Sequence, residues 1–184
     1  SGGLGTVWAN TTSGEMFVLT DATTDANVWF NVGGGTGDVV PYIFQGTISG
    51  YTSGGRTPNK DVIDKFSFAS ESPSSDVGNL TSSRNGSAGT SSTTHGYISG
   101  GAPTLDIIDK FAFASTSNAT DIGNLTVGRR YLDGCSSTTH GYSAGGGGTS
   151  NVIDKFAYSS NTTATDHGDL TVGRERAGSE GQQY

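Results

Sequence analysis

The chain has 184 residues, a formal net charge of −7, 32% hydrophobic residues and 15% charged ones. Ordinary domains carry roughly 45–50% apolar residues (glycine included) and about 25% charged ones. Low charge with 9% aromatic residues excludes a typical disordered tail, the acidic balance argues against a nucleic-acid partner, and no apolar run approaches the roughly 18 residues of a membrane span. Cys135 is the only cysteine, so neither an intrachain disulfide nor a cysteine-rich metal site exists; it reads as a small buried residue. Thirty glycines with abundant Ser and Thr suit short β-strands joined by many turns. The first residue is Ser1 and the sole methionine Met16, which reads as a processed or trimmed product.

In chain order, residues 1–35 predict a small β meander. Its sequence GTVWANTTSGEMFVLTDATTDANVWFNVGGG (5–35) places Trp8 and Trp29 on two strands, with TSGE (12–15) as a turn. GGGTGDVVP (33–41) reads as a flexible linker, and 36–49 as linker plus lead-in strand. A repeat follows. DVIDKFSF (61–68), DIIDKFAF (106–113) and NVIDKFAY (151–158) lie 45 residues apart, and SDVGNLT, TDIGNLT and TDHGDLT keep the same interval. The 135 residues from Gly50 to Tyr184 make three such intervals, read as units 50–95, 96–140 and 141–184. Within a unit, VIDKFSF alternates, with Val62, Asp64, Phe66 and Phe68 on one face and Ile63, Lys65 and Ser67 on the other. HGYISGG reads as a strand ended by a glycine pair, and Asp-x-Gly as a turn into the next strand. No segment shows a capped helical period, so the expected fold is all-β, with three or four short strands per unit.

The order Tyr-x-Ser-Gly-Gly, apolar-Asp strand, Leu-Thr and downstream Arg resembles a degenerate kelch repeat. The family's glycine pair matches Gly54-Gly55, Gly100-Gly101 and Gly145-Gly146, its Tyr-Asp strand matches IDKF loosely, and its tryptophan is absent from every unit. SSDVGNLT is similar to the sialidase Asp-box, again without tryptophan; in that family the aspartate ties down a turn and is not catalytic. These likenesses imply β-propeller blades or a related β-array. The repeats also resemble those of virion and tail-fibre proteins of marine bacteriophages, and residues 5–35 resemble a small tryptophan-containing module of phage structural proteins.

Residues present in every unit read as scaffold, because a catalytic site is normally unique. This covers Asp64, Asp109 and Asp154, then Asp76, Asp121 and Asp166, then Arg84, Arg129 and Arg174. They are expected to hydrogen-bond turns or to pair within a blade, since a buried charge needs a partner. His95 and His140 recur at equivalent strand starts, but a metal site needs three or four ligands and the position before Gly50 is Ser49; they read as structural. Carboxylates paired across blades would imitate a glycosidase, but the arginine cluster and Tyr–Glu pair of a sialidase are missing. Six Asn-x-Ser/Thr triplets, at Asn10, Asn79, Asn85, Asn118, Asn124 and Asn161, follow from the Thr-rich repeats. The most distinctive departure from the repeat is Arg130, Tyr131, Leu132 and Asp133, whose aromatic, cation and carboxylate suit sugar stacking and hydrogen bonding.

The resemblances imply a non-enzymatic structural protein of a phage particle, a tail-fibre or appendage component contacting the host surface. The alternatives are a secreted or cell-surface kelch-like glycan- or protein-binding module, and a glycan-cleaving propeller enzyme. No cofactor is expected. Propellers typically need four to eight blades, and three leave open strand edges that recruit others. The chain is therefore expected to form a homo-oligomer, a trimer first by likeness to phage fibres, with other virion proteins and a host glycan as further partners.

Overall fold

The computed structural model describes residues 3–10, 14–32 and 46–178. The linker 33–41, Thr12 and Ser13 of the expected turn, and residues 42–45 and 179–184 lie outside the described residues. The chain divides into two compact units, 1–45 and 46–184. Among the described residues all fourteen elements are strands and none is a helix, and they form four small antiparallel sheets.

The smaller unit is a three-stranded meander of β1 (Val7–Ala9), β2 (Met16–Asp21) and β3 (Val28–Asn31). Alternation along β2 buries Phe17 and Leu19, while Trp8 on β1 packs its ring 5.3 Å from that of Phe17. Asp21 closes the next turn by accepting the Thr23 hydroxyl at 2.6 Å and amide at 2.9 Å, bonds that hold its carboxyl below its usual pKa.

The larger unit holds three sheets. The first joins β4 (Ser49–Ser53), β5 (Lys60–Ser67) and β6 (Ser75–Arg84). The second runs β7 (Ala88–Ser91), β8 (His95–Ser99), β9 (Ile107–Ala112) and β10 (Thr120–Asn124). The third runs β11 (Asp133–Ser136), β12 (His140–Ala144), β13 (Val152–Ala157) and β14 (Thr165–Asp169). Sheet boundaries fall after the recurring arginine. The expected unit 50–95 puts Ala88–Ser91 with the strands before it, whereas β7 pairs with β8.

Strand alternation supplies each sheet with two faces, and in the second sheet both are covered. Ile108 looks toward the third sheet, into a cluster with Tyr97, Ile122, Leu125, Leu132 and Phe156. Phe111, three residues on, lies in the other cluster with Ile63, Leu80 and Ala119. Two thin apolar layers between sheets thus replace one central core, which is how a chain so poor in aliphatic residues still buries side chains. Close approach between strands requires glycine: a Cβ on Gly50, Gly96 or Gly141 would fall inside the ring of Phe66, Phe111 or Phe156. Gly100 and Gly101 turn the chain at φ 64° and 120°, a region that excludes other residues at little cost only to glycine.

Because Phe156 is 2% exposed and Val127 59%, truncating them separates the layer from the surface. Phe156→Ala is expected to cost roughly 3–5 kcal/mol and Val127→Ala at most about 0.5 kcal/mol, as read by urea denaturation.

Candidate functional site

Asp109 and Asp154 have fully buried side chains. Each sits on the third strand of its sheet, on the face that meets the preceding sheet, and there it is enclosed by donors. The Thr81 hydroxyl reaches Asp109 Oδ1 at 2.7 Å, and the Thr81 amide reaches Oδ2 at 2.9 Å. Arg84 Nη2 closes the set on Oδ2 at 2.8 Å. Forty-five residues on, Asp154 takes the Thr126 hydroxyl at 2.6 Å, the Thr126 amide at 3.3 Å and Arg129 Nη2 at 2.5 Å. The same arginines donate to the Gly100 carbonyl at 3.3 Å and the Gly145 carbonyl at 3.0 Å in the next sheet. Burial lowers both guanidinium pKa values, and the facing aspartates oppose that shift. The ion pairs therefore run between sheets and not within one. This corrects the expected pairing: Leu-Thr-x-x-Arg lies at the end of the last strand of the first sheet and just beyond that of the second, and in both its donors face the neighbouring sheet.

Asp76, Asp121 and Asp166 do a different job. Each accepts the amide two residues on, from Gly78, Gly123 and Gly168, at 3.0, 2.9 and 2.9 Å. They tie a bulge inside the last strand of each sheet, where the register slips; the Asp-x-Gly expected to turn the chain into that strand lies within it instead.

The loop at 130–133 splits by residue. Leu132 is 4% exposed inside the apolar layer, so it belongs to the core and has no face for a ligand. Tyr131 lies against Gly86, with the guanidinium of Arg176 over its ring at 4.2 Å and that of Arg130 at 5.4 Å. Its ring faces are largely taken, which leaves the two exposed guanidiniums as the loop's outward chemistry. The Asp133 carboxyl is raised by partial burial against a bond from the Ala177 amide. Cys135 is exposed, contrary to expectation, because it falls on the outward side of β11.

His95 and His140 open β8 and β12 in matching settings. Thr94 and Thr139 hydroxyls meet their Nδ1 atoms at 2.8 Å each, and Ser92 and Ser137 hydroxyls accept their amides at 3.0 Å. Between them opens a groove of about 530 Å³, lined by His95, Tyr97, Lys110, His140, Tyr158 and neighbouring Ser and Thr hydroxyls. Tyr97 and Tyr158 stack at 4.6 Å between centroids; Lys110 Nζ stands 6.0 Å from the Tyr97 ring. Burial raises both phenols. The groove combines stacked aromatic edges, two imidazoles, an ammonium and hydroxyls, a lining that suits a polyhydroxylated ligand. Sequence reasoning placed the histidines but missed Tyr97, Lys110 and Tyr158. Recurrence of Lys beside Asp, and of an aromatic ending each Asp-Lys strand, was the available signal. Among the described residues no group of three or more His, Cys, Asp and Glu is gathered as metal ligands. No protein-family model and no curated protein matches this chain.

Removing Arg129 strands a buried carboxylate. Arg129→Ala and Asp154→Ala are each expected to cost roughly 3–5 kcal/mol, and Arg129→Met with Asp154→Leu together to cost less than either; thermal and urea unfolding of the three proteins check this. The histidines titrate in a stated direction too. Burial first and then Lys110 lower His95 below 6.5; burial first, then Lys155 and His167, lower His140. A depressed folded pKa favours the neutral ring, so this contribution to stability is present above about 6.5 and is lost as pH falls through the folded value. In NMR titrations both midpoints are expected below that of a free imidazole, and Lys110→Ala is expected to raise that of His95 more than that of His140.

Proposed function

We propose that this protein is a non-enzymatic structural component of a bacteriophage particle, a tail-fibre or appendage protein built of kelch-like repeats that touches a glycan of the host surface. The virion reading rests on the likeness of its 45-residue repeats and N-terminal meander to phage structural proteins. The observation that carries the absence of catalysis is the engagement of the recurring chemistry. Asp109, Asp154, Arg84 and Arg129 face one another between sheets, and Asp76, Asp121 and Asp166 bind their own turns. The groove between the second and third sheets is the contact surface in this reading, since it gathers imidazoles, hydroxyls, an ammonium and stacked tyrosines around one open cleft.

Mass spectrometry of purified virions tests the location: peptides of this chain are expected in the particle, and their absence would overturn the virion assignment. Purified protein incubated with bacterial surface polysaccharides tests the activity. Retention without release of new reducing ends is the expected result, and Lys110→Ala and His140→Ala are expected to weaken retention about tenfold relative to the exposed control Glu71→Gln. New reducing ends would establish the glycan-cleaving alternative instead.

A further inference from the structure

Each sheet of the larger unit presents two unlike faces, and contact always joins one kind to the other. The face toward the preceding sheet carries an aspartate and two aromatics: Asp109, Phe111 and Phe113, then Asp154, Phe156 and Tyr158. The face toward the following sheet carries a tyrosine, a threonine and an arginine. Both formed joints repeat the same contacts. The aspartate is held by Thr and Arg, and the tyrosine stacks on the second aromatic, Tyr51 on Phe113 at 4.8 Å and Tyr97 on Tyr158 at 4.6 Å.

One half of each kind is left over. At the first sheet stand Asp64, Phe66 (40% exposed) and Phe68 (54% exposed). Their counterparts Phe111 and Phe156 are 5% and 2% exposed. At the third sheet stand Tyr142, Thr171 and Arg174, 45 residues after Tyr97, Thr126 and Arg129. Among the described residues neither Asp64 nor Arg174 has an ion pair. Arg174 is nonetheless set for one. Its carbonyl accepts the Gly146 amide at 2.8 Å, as that of Arg129 accepts the Gly101 amide at 2.8 Å. Its Nε donates to the Val172 carbonyl at 3.2 Å, as Arg84 Nε donates to Ser82 in the closed joint at 3.2 Å. The loop thus matches both formed joints and the side chain matches the first, where Arg84 is engaged; Arg129 Nε in the second joint has no partner among the described residues.

We propose that these two faces bind each other between chains, the third sheet of one copy seating on the first sheet of a second copy. Arg174 and Thr171 then enclose Asp64 of that copy, and Tyr142 stacks on its Phe68. The joint is head-to-tail, so an open assembly keeps one free face at each end until a ring closes. Opposite charge on the two faces and uncovered aromatic area on the first sheet select a second copy over an unrelated partner. The inference stands on the joint geometry and does not depend on the virion reading.

Light scattering on the full chain and on two charge reversals decides it. The wild type is expected to exceed the 18.8 kDa monomer mass at micromolar concentration. Asp64→Arg and Arg174→Asp are each expected to weaken association at least about 100-fold while keeping the wild-type circular dichroism spectrum. Mixing the two variants is expected to restore association, because every joint then pairs Arg with Asp again. A monomeric wild type, reversals that leave the oligomer intact, or a mixture that stays monomeric would each overturn the proposal.

Discussion

A carboxylate buried between two sheets is the constraint on which the larger unit depends. Asp109 and Asp154 lose all contact with solvent, and an isolated charge in such a place is costly by several kcal/mol. Three donors offset the cost, two from a threonine and one from an arginine, all from the neighbouring sheet. A hydrophobic pair would hold two sheets together about as well. What the ionic joint adds is position: the carboxylate accepts its donors at one register only, so each sheet is located on the next to within a hydrogen bond.

That location lets thin apolar layers suffice. The two clusters between sheets contain few large aliphatic side chains. They are arranged so that a ring occupies the space a side chain would take on the glycine across the sheet, as Phe111 does at Gly96 and Phe156 at Gly141. Sheets coupled only to their neighbours behave as a one-dimensional array, in which each joint contributes separately and the end faces are chemically unfinished. Burial follows this logic along the chain: the phenylalanine of the first sheet is half open, and its two successors are closed.

The same economy shapes the surface. At the two formed joints the recurring aspartates and arginines are withdrawn from the surface, and a groove opens at the rim where the second and third sheets meet. There the stacked Tyr97 and Tyr158 come from positions 61 residues apart, flanked by His95 and His140 from equivalent strand starts. Tyr131, the more conspicuous aromatic in the sequence, is instead occupied by Gly86 and by Arg176.

The sequence by itself determined the all-β class, the interval of 45 residues, and the alternation that puts Asp64, Phe66 and Phe68 on one strand face. These are local properties: a period of two and a glycine pair act within a few residues of themselves. It also marked Asp109 and Arg129 as recurring residues in need of partners. Only the tertiary structure decided whom they serve. Alternation tells which residues share a face but not what covers that face, so Asp109 was legible as a residue needing a partner, while Arg84, 25 residues earlier, became that partner only when two sheets met. Leu132, just before β11, entered the core and Cys135, on it, the surface for the same reason, since inside and outside there are defined by the neighbouring sheet and not by the chain's own alternation.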